Sequence, residues 1–172
     1  MMKPFGMVIG AVFAAVVTLT QPVMAADNFG ARLRGFEEVP PISTLAQGFF
    51  LGTMNAAGTA MDYTLFYFDL QGSVQQAHIH IGQAGVNGGI VLFFCTNLAP
   101  PAGVPAPPAC PTGAFNTVSG TLTAANVITQ TGQGIAAGEF AEVIRAIRAG
   151  KAYANVHTDQ FPGGEIRGQV TE

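Results

Sequence analysis

"AHIHIGQAGVNGGIVLFFC", residues 77–95, decides how this chain folds. In its first part the apolar Ala77, Ile79 and Ile81 alternate with His78 and His80. That period of two places one set of side chains on each face of a β-strand. Its last part, "GIVLFFC", is an apolar run of strand length. Between them, "GQAGVNGG" follows a strand as a phosphate-binding loop would. Such a loop needs a helix after it, because the helix N-terminus supplies the anion site. Another strand follows here, so nucleotide binding is rejected. The glycines supply positive φ and close backbone approach in a compact turn.

The same reading extends along the chain. "FGARLRGF" (29–36) alternates, with Phe29, Ala31 and Leu33 on one side and Arg32 and Arg34 on the other. "GFFLGTMN" (48–55) and "MDYTLFYFDL" (61–70) flank "AAGTA" as a hairpin. "TVSGTLT" (117–123), "KAYANVHT" (151–158) and "GEIRGQV" (164–170) complete the set. One segment departs from it. "GEFAEVIRAIRAG" (138–150) spaces Phe140, Val143, Ile144 and Ile147 at i, i+3, i+4 and i+7, which predicts one short amphipathic helix near 139–149. The expected fold is all-β: a Greek-key β-sandwich or barrel of about seven to eight antiparallel strands.

The N-terminus speaks to compartment. Lys3 precedes the apolar "GMVIGAVFAAVVTLT", Pro22 breaks the run, and Val23-Met24-Ala25 offers a small-residue cleavage site. Residues 1–25 therefore read as a secretory signal peptide, with a retained N-terminal anchor as the weaker alternative. The run is short for a membrane span, and nothing later is long enough to be one. Residues 26–172 are expected to be a single domain, periplasmic or secreted. The whole chain carries seven Lys and Arg against ten Asp and Glu; without Lys3 the net charge goes from −3 to −4. No basic cluster longer than two residues exists for phosphate, so nucleic acid is not an expected partner; the partner is left open, with an extracellular or periplasmic protein as one candidate. Cys95 and Cys110 are the two cysteines, and in an oxidising compartment they suggest one disulfide closing the Pro-rich loop 96–109. Two free buried thiols are the alternative.

The chain has three histidines. Residues i and i+2 of a strand point the same way, about 6–7 Å apart, so His78 and His80 share a face opposite Ala77, Ile79 and Ile81. In "YANVHT" the third, His157, shares a face with Tyr153 and Asn155. If the two strands approach, three neutral imidazoles can hold copper or, less favoured, zinc. Asp159, Glu165 or water would complete the shell. The competing reading has the histidines hydrogen-bonded to carbonyls and holding loops. Arg167 alternates with Glu165 and reads as a structural ion-pair partner, and the paired acids Glu37 and Glu38 before "VPP" read as surface charge. No Ser/His/Asp arrangement can be assembled.

"LRGFEEVPPISTLAQGFF" (33–50), "AHIHIGQAGVNGGIVLFF" (77–94) and "AGKAYANVHTDQFPGGEIRGQV" (149–170) together resemble the CHRD domain, the chordin-type module, in a bacterial exported single-domain form. The resemblance runs from about Leu33 to Val170 and implies an extracellular, mainly β domain. A looser likeness is to copper–zinc superoxide dismutase. It implies that His78, His80 and His157 match copper ligands and that Arg167 guides an anion. No bridging histidine or zinc-ligand cluster accompanies them. Three readings result. The first is a CHRD binding module holding a metal, copper favoured, through the three histidines. The second is a structural or adhesive domain with no metal, and the third a copper-dependent dismutase-like enzyme. The balance leans away from an enzyme.

Overall fold

The computed structural model describes residues 27–172; the signal peptide expected over residues 1–25 lies outside them. Eight strands form one antiparallel sheet among the described residues: β1 (Asn28–Arg34), β2 (Gln47–Met54), β3 (Ala60–Phe68), β4 (Val74–Ile81), β5 (Gly89–Thr96), β6 (Phe115–Thr123), β7 (Ala152–Thr158) and β8 (Ile166–Gln169). The order across the sheet is β5-β4-β7-β8-β1-β2-β3-β6. The sheet rolls into a nearly closed barrel. Across its open seam Tyr63 of β3 donates a hydrogen bond to the Phe94 carbonyl of β5 at 2.6 Å. One helix, α1 (Phe140–Arg148), precedes β7. The all-β expectation and the single short helix both hold.

Alternation makes the core. Phe50 and Met54 of β2 face inward beside Met61, Leu65 and Tyr67 of β3, while Phe49 and Leu51, on either side of Phe50, face out. Phe94 packs against Phe50 and Tyr63 with ring centroids 5.1 and 5.0 Å apart, an aromatic cluster of the tilted geometry that such rings favour. The apolar stripe of α1, Phe140, Val143, Ile144 and Ile147, joins the same core.

β4 and β7 differ from this pattern. Ala77 and Ile79 of β4 and Ala154 and Val156 of β7 face the core, yet every residue of β7 is buried. Its outward face lies beneath three loops instead of water. Two register shifts in the β4–β5 pairing, between Ala77 and His78 and between Ile79 and His80, bracket this region. Bulges of this kind kink a strand and re-aim its side chains.

Cys95 and Cys110 are joined by a disulfide across 15 residues, and Asn97 fastens the same loop by accepting from the Cys110 amide and donating to its carbonyl. A loop of that length constrains the unfolded chain by about 3 kcal/mol. The double variant Cys95→Ala/Cys110→Ala should lower unfolding free energy by about that amount in urea titrations; an unchanged midpoint would contradict a stabilising role.

Candidate metal centre

The register of β4, β7 and β8 assembles the site. His78 stands opposite Asn155, His80 opposite Tyr153, and Gln76 opposite His157; Asn155 in turn stands opposite Arg167. His78, His80 and His157 therefore share the outward face, as alternation predicts, and they converge. Ring centroids are 4.8 Å apart for His78 and His157, 5.3 Å for His78 and His80, and 6.0 Å for His80 and His157. One ring nitrogen from each lies within 4.8 Å of the other two. Three atoms so placed have a common point no more than about 2.8 Å from each (4.8 Å divided by √3). Metal–nitrogen bonds of about 2.0–2.1 Å need only small side-chain adjustments from there.

Two loops orient two of the rings. His80 donates from Nδ1 to the Gly88 carbonyl at 3.0 Å, and His157 from Nδ1 to the Pro162 carbonyl at 2.8 Å. A proton on Nδ1 leaves the lone pair of a neutral imidazole on Nε2, the arrangement that outer partners impose on metal-binding histidines. Both Nε2 atoms are buried without a partner. His78, at 0% exposure, has no partner on either nitrogen, and its ring meets Phe93 edge-on at 4.3 Å. Gly88 can approach because it lacks a side chain: a Cβ there would lie 1.6 Å from the Ile81 carbonyl oxygen.

Around the rings lies a buried polar layer. Arg167, 2% exposed, donates to the carbonyls of Gln83 and Val86 and to Asn87 Oδ1, and thereby clamps the glycine-rich loop. Its guanidinium carbon sits 3.3 Å from the Tyr153 ring centroid, and Tyr153 stacks on His80 at 4.6 Å with planes 5° apart. Asn87 ties this loop to the next by donating to the Val39 carbonyl.

Glu38 corrects its reading as surface charge, which holds for the exposed Glu37 only. Glu38 is buried and accepts from Asn155 Nδ2 at 2.5 Å. It lies in a loop without strand period, so alternation gave no sign of its direction. Glu165 sits at neither expected place. Its carboxylate accepts from the Gln71 and Gly72 amides and the Thr44 and Thr158 hydroxyls. It neither pairs with Arg167 nor joins the histidine group. Asp159 likewise stays outside the group, accepting from the Ser73 amide.

Burial sets the protonation states. It pushes His80 down to about 4, against the carbonyl bond that favours its charged form, and it lowers His157. His78 falls well below the ordinary value, through burial first and its two histidine neighbours second. Burial also raises Glu38 to about 8, although Arg167 and Asn155 pull it down. The signs oppose. Imidazoles depressed in the fold take up protons more readily when unfolded, so stability falls as pH drops from 6.5 towards 4. A carboxyl held protonated in the fold releases its proton more readily when unfolded, so its contribution is lost as pH rises from 4.5 towards 8. With three imidazoles against one carboxyl, the metal-free protein should be most stable near pH 6.5, and Glu38→Gln should flatten the alkaline side. Urea unfolding between about pH 4 and 9 tests this; stability still rising between about pH 6.5 and 8 would contradict it.

The family profile of the CHRD domain matches residues 29–170. No curated protein and no solved structure matches the chain. The matched span contains the whole barrel except the first residue of β1. It also holds the Glu38 loop, the glycine-rich loop under Arg167 and the Pro162 turn under His157. With a family match over most of its length and the fold that this resemblance implies, the chain belongs to the CHRD domain family.

Proposed function

We propose that this protein is an exported CHRD binding module that holds one transition-metal ion, copper in the first instance, through His80 Nε2, His157 Nε2 and one ring nitrogen of His78. The observation that carries the reading is His78. A histidine with both nitrogens buried and unpartnered costs about 1–3 kcal/mol for each polar group left unmade, and an ion between the three rings satisfies the one lone pair the ring can offer. The depressed imidazole pKa values suit that role, because only neutral imidazole binds a metal.

A structural domain without metal has its own support in the hydrogen bonds of His80 and His157 to loop carbonyls. Those bonds use Nδ1 alone and leave His78 without a purpose. A dismutase-like activity is less favoured, because the three rings are buried and Arg167 spends its bonds on the loop beneath it. Export is inferred from the leader-like residues 1–25 and agrees with the disulfide and with the extracellular character of CHRD domains. It puts the protein in the periplasm or outside the cell.

Metal analysis of protein recovered from the periplasm or medium should find about one equivalent of copper in the wild type and almost none in His78→Ala/His80→Ala. Equal metal content in both would defeat the reading. A second outcome separates binding from folding. His78→Leu should abolish metal binding while making the metal-free protein more stable, by about 1–3 kcal/mol in urea unfolding. A loss of stability in that variant would favour the structural role.

A further inference from the structure

We infer that the centre selects a monovalent soft ion, Cu(I), over Cu(II) and Zn(II), because it offers three neutral nitrogens, no counter-charge and a fixed cation close by. This rests on the metal reading above and concerns which ion the same three rings hold.

The ligand group carries no charge of its own, and the cation beside it, Arg167, is faced by Glu38 and Glu37, neither of which joins the group. Among the described residues the ligand group contains three histidines and no carboxylate. The two buried acids on this side of the barrel are committed elsewhere: Glu165 to two amides and two hydroxyls, Glu38 to Asn155. The permanent charge nearest in the stack is positive. Arg167 lies against Tyr153, and Tyr153 lies flat on His80. An arginine does not shed its proton in a protein, so this cation stays.

Placing an ion there strips its water. The desolvation cost scales with the square of the charge, so a divalent ion loses about four times what a monovalent ion of similar size loses. In addition it meets twice the repulsion from Arg167. Anionic ligands would offset both, and the site has none. Coordination number acts in the same direction. Zinc centres are almost always four-coordinate, and Cu(II) prefers tetragonal surroundings. Here Phe93 packs against His78, all three rings are buried, and no fourth side chain among the described residues joins the group. Three imidazoles alone suit an ion content with three ligands and a single charge.

The deciding experiment uses the mature protein recovered after export. Under anaerobic conditions its affinity for Cu(I) is measured against a colorimetric Cu(I) chelator. Affinities for Cu(II) and Zn(II) are measured by chelator competition at the same pH. We expect Cu(I) to bind at least about 100-fold more tightly than Cu(II). That raises the bound couple by about 120 mV over the free ions, at 59 mV per tenfold for one electron. Zn(II) should bind more weakly than Cu(I) by a similar factor. Arg167→Gln should narrow the Cu(I)-to-Cu(II) ratio and Arg167→Lys, which keeps the charge, should largely preserve it. Cu(II) or Zn(II) binding as tightly as Cu(I), and lost in His78→Ala, would overturn this inference and leave the metal reading standing. No binding of any of the three ions would overturn both. A ratio unchanged in Arg167→Gln would remove the role given to its charge.

Discussion

β7 has no water on either side. Its inward residues, Ala154 and Val156, complete the barrel core, and its outward residues, Tyr153, Asn155 and His157, lie beneath loops. A buried polar group must find its partner within the protein or bear the full desolvation cost. That constraint organises the whole outward layer. Asn155 meets Glu38, His157 meets the Pro162 carbonyl, and the Tyr153 hydroxyl accepts from the Gly88 amide. Each bond pulls a different loop onto the strand. The residues that resemble the CHRD signature are accordingly both loop anchors and strand residues.

Among the described residues the layer is complete except at the histidines and at Gln169 Oε1. Arg167 fills its fork with two carbonyls and an amide oxygen, and Gly164, at φ 125°, lets Asn155 and Glu38 come together where a Cβ would lie 2.6 Å from both. Against such thorough pairing, the unpartnered Nε2 atoms of His80 and His157 and both nitrogens of His78, gathered on one point, are the anomaly. Fully satisfied polar networks stiffen a fold, and partly satisfied ones are costly in a low dielectric. The ion proposed above would take one lone pair from each ring, leaving only the N–H of His78 unpartnered.

Much of this was legible in the residues. Alternation in "AHIHI" and "YANVHT" placed the three histidines on outward faces, and the turn residues separated the strands. Convergence was not legible, because it depends on β4 lying beside β7 in the sheet, and no period within either strand carries that adjacency. Glu38 was misread for a related reason. It sits after the last residue of β1 in a loop whose direction is set by Asn155, a residue 117 positions away. Glu165 was misread because its neighbour in sequence, Arg167, points to the glycine-rich loop, while its carboxylate turns to cap the backbone at Gln71 and Gly72. Local pattern found the faces; long-range pairing decided who meets whom on them.

The central claim is that His78, His80 and His157 surround an ion. Anomalous scattering collected on either side of the copper absorption edge, from crystals of protein purified without chelators, tests it most directly. The account predicts one edge-specific peak at about 2.0–2.1 Å from His80 Nε2, His157 Nε2 and a ring nitrogen of His78. A map with no edge-specific peak there, and with an ordered water hydrogen-bonded to His78 in its place, would contradict it.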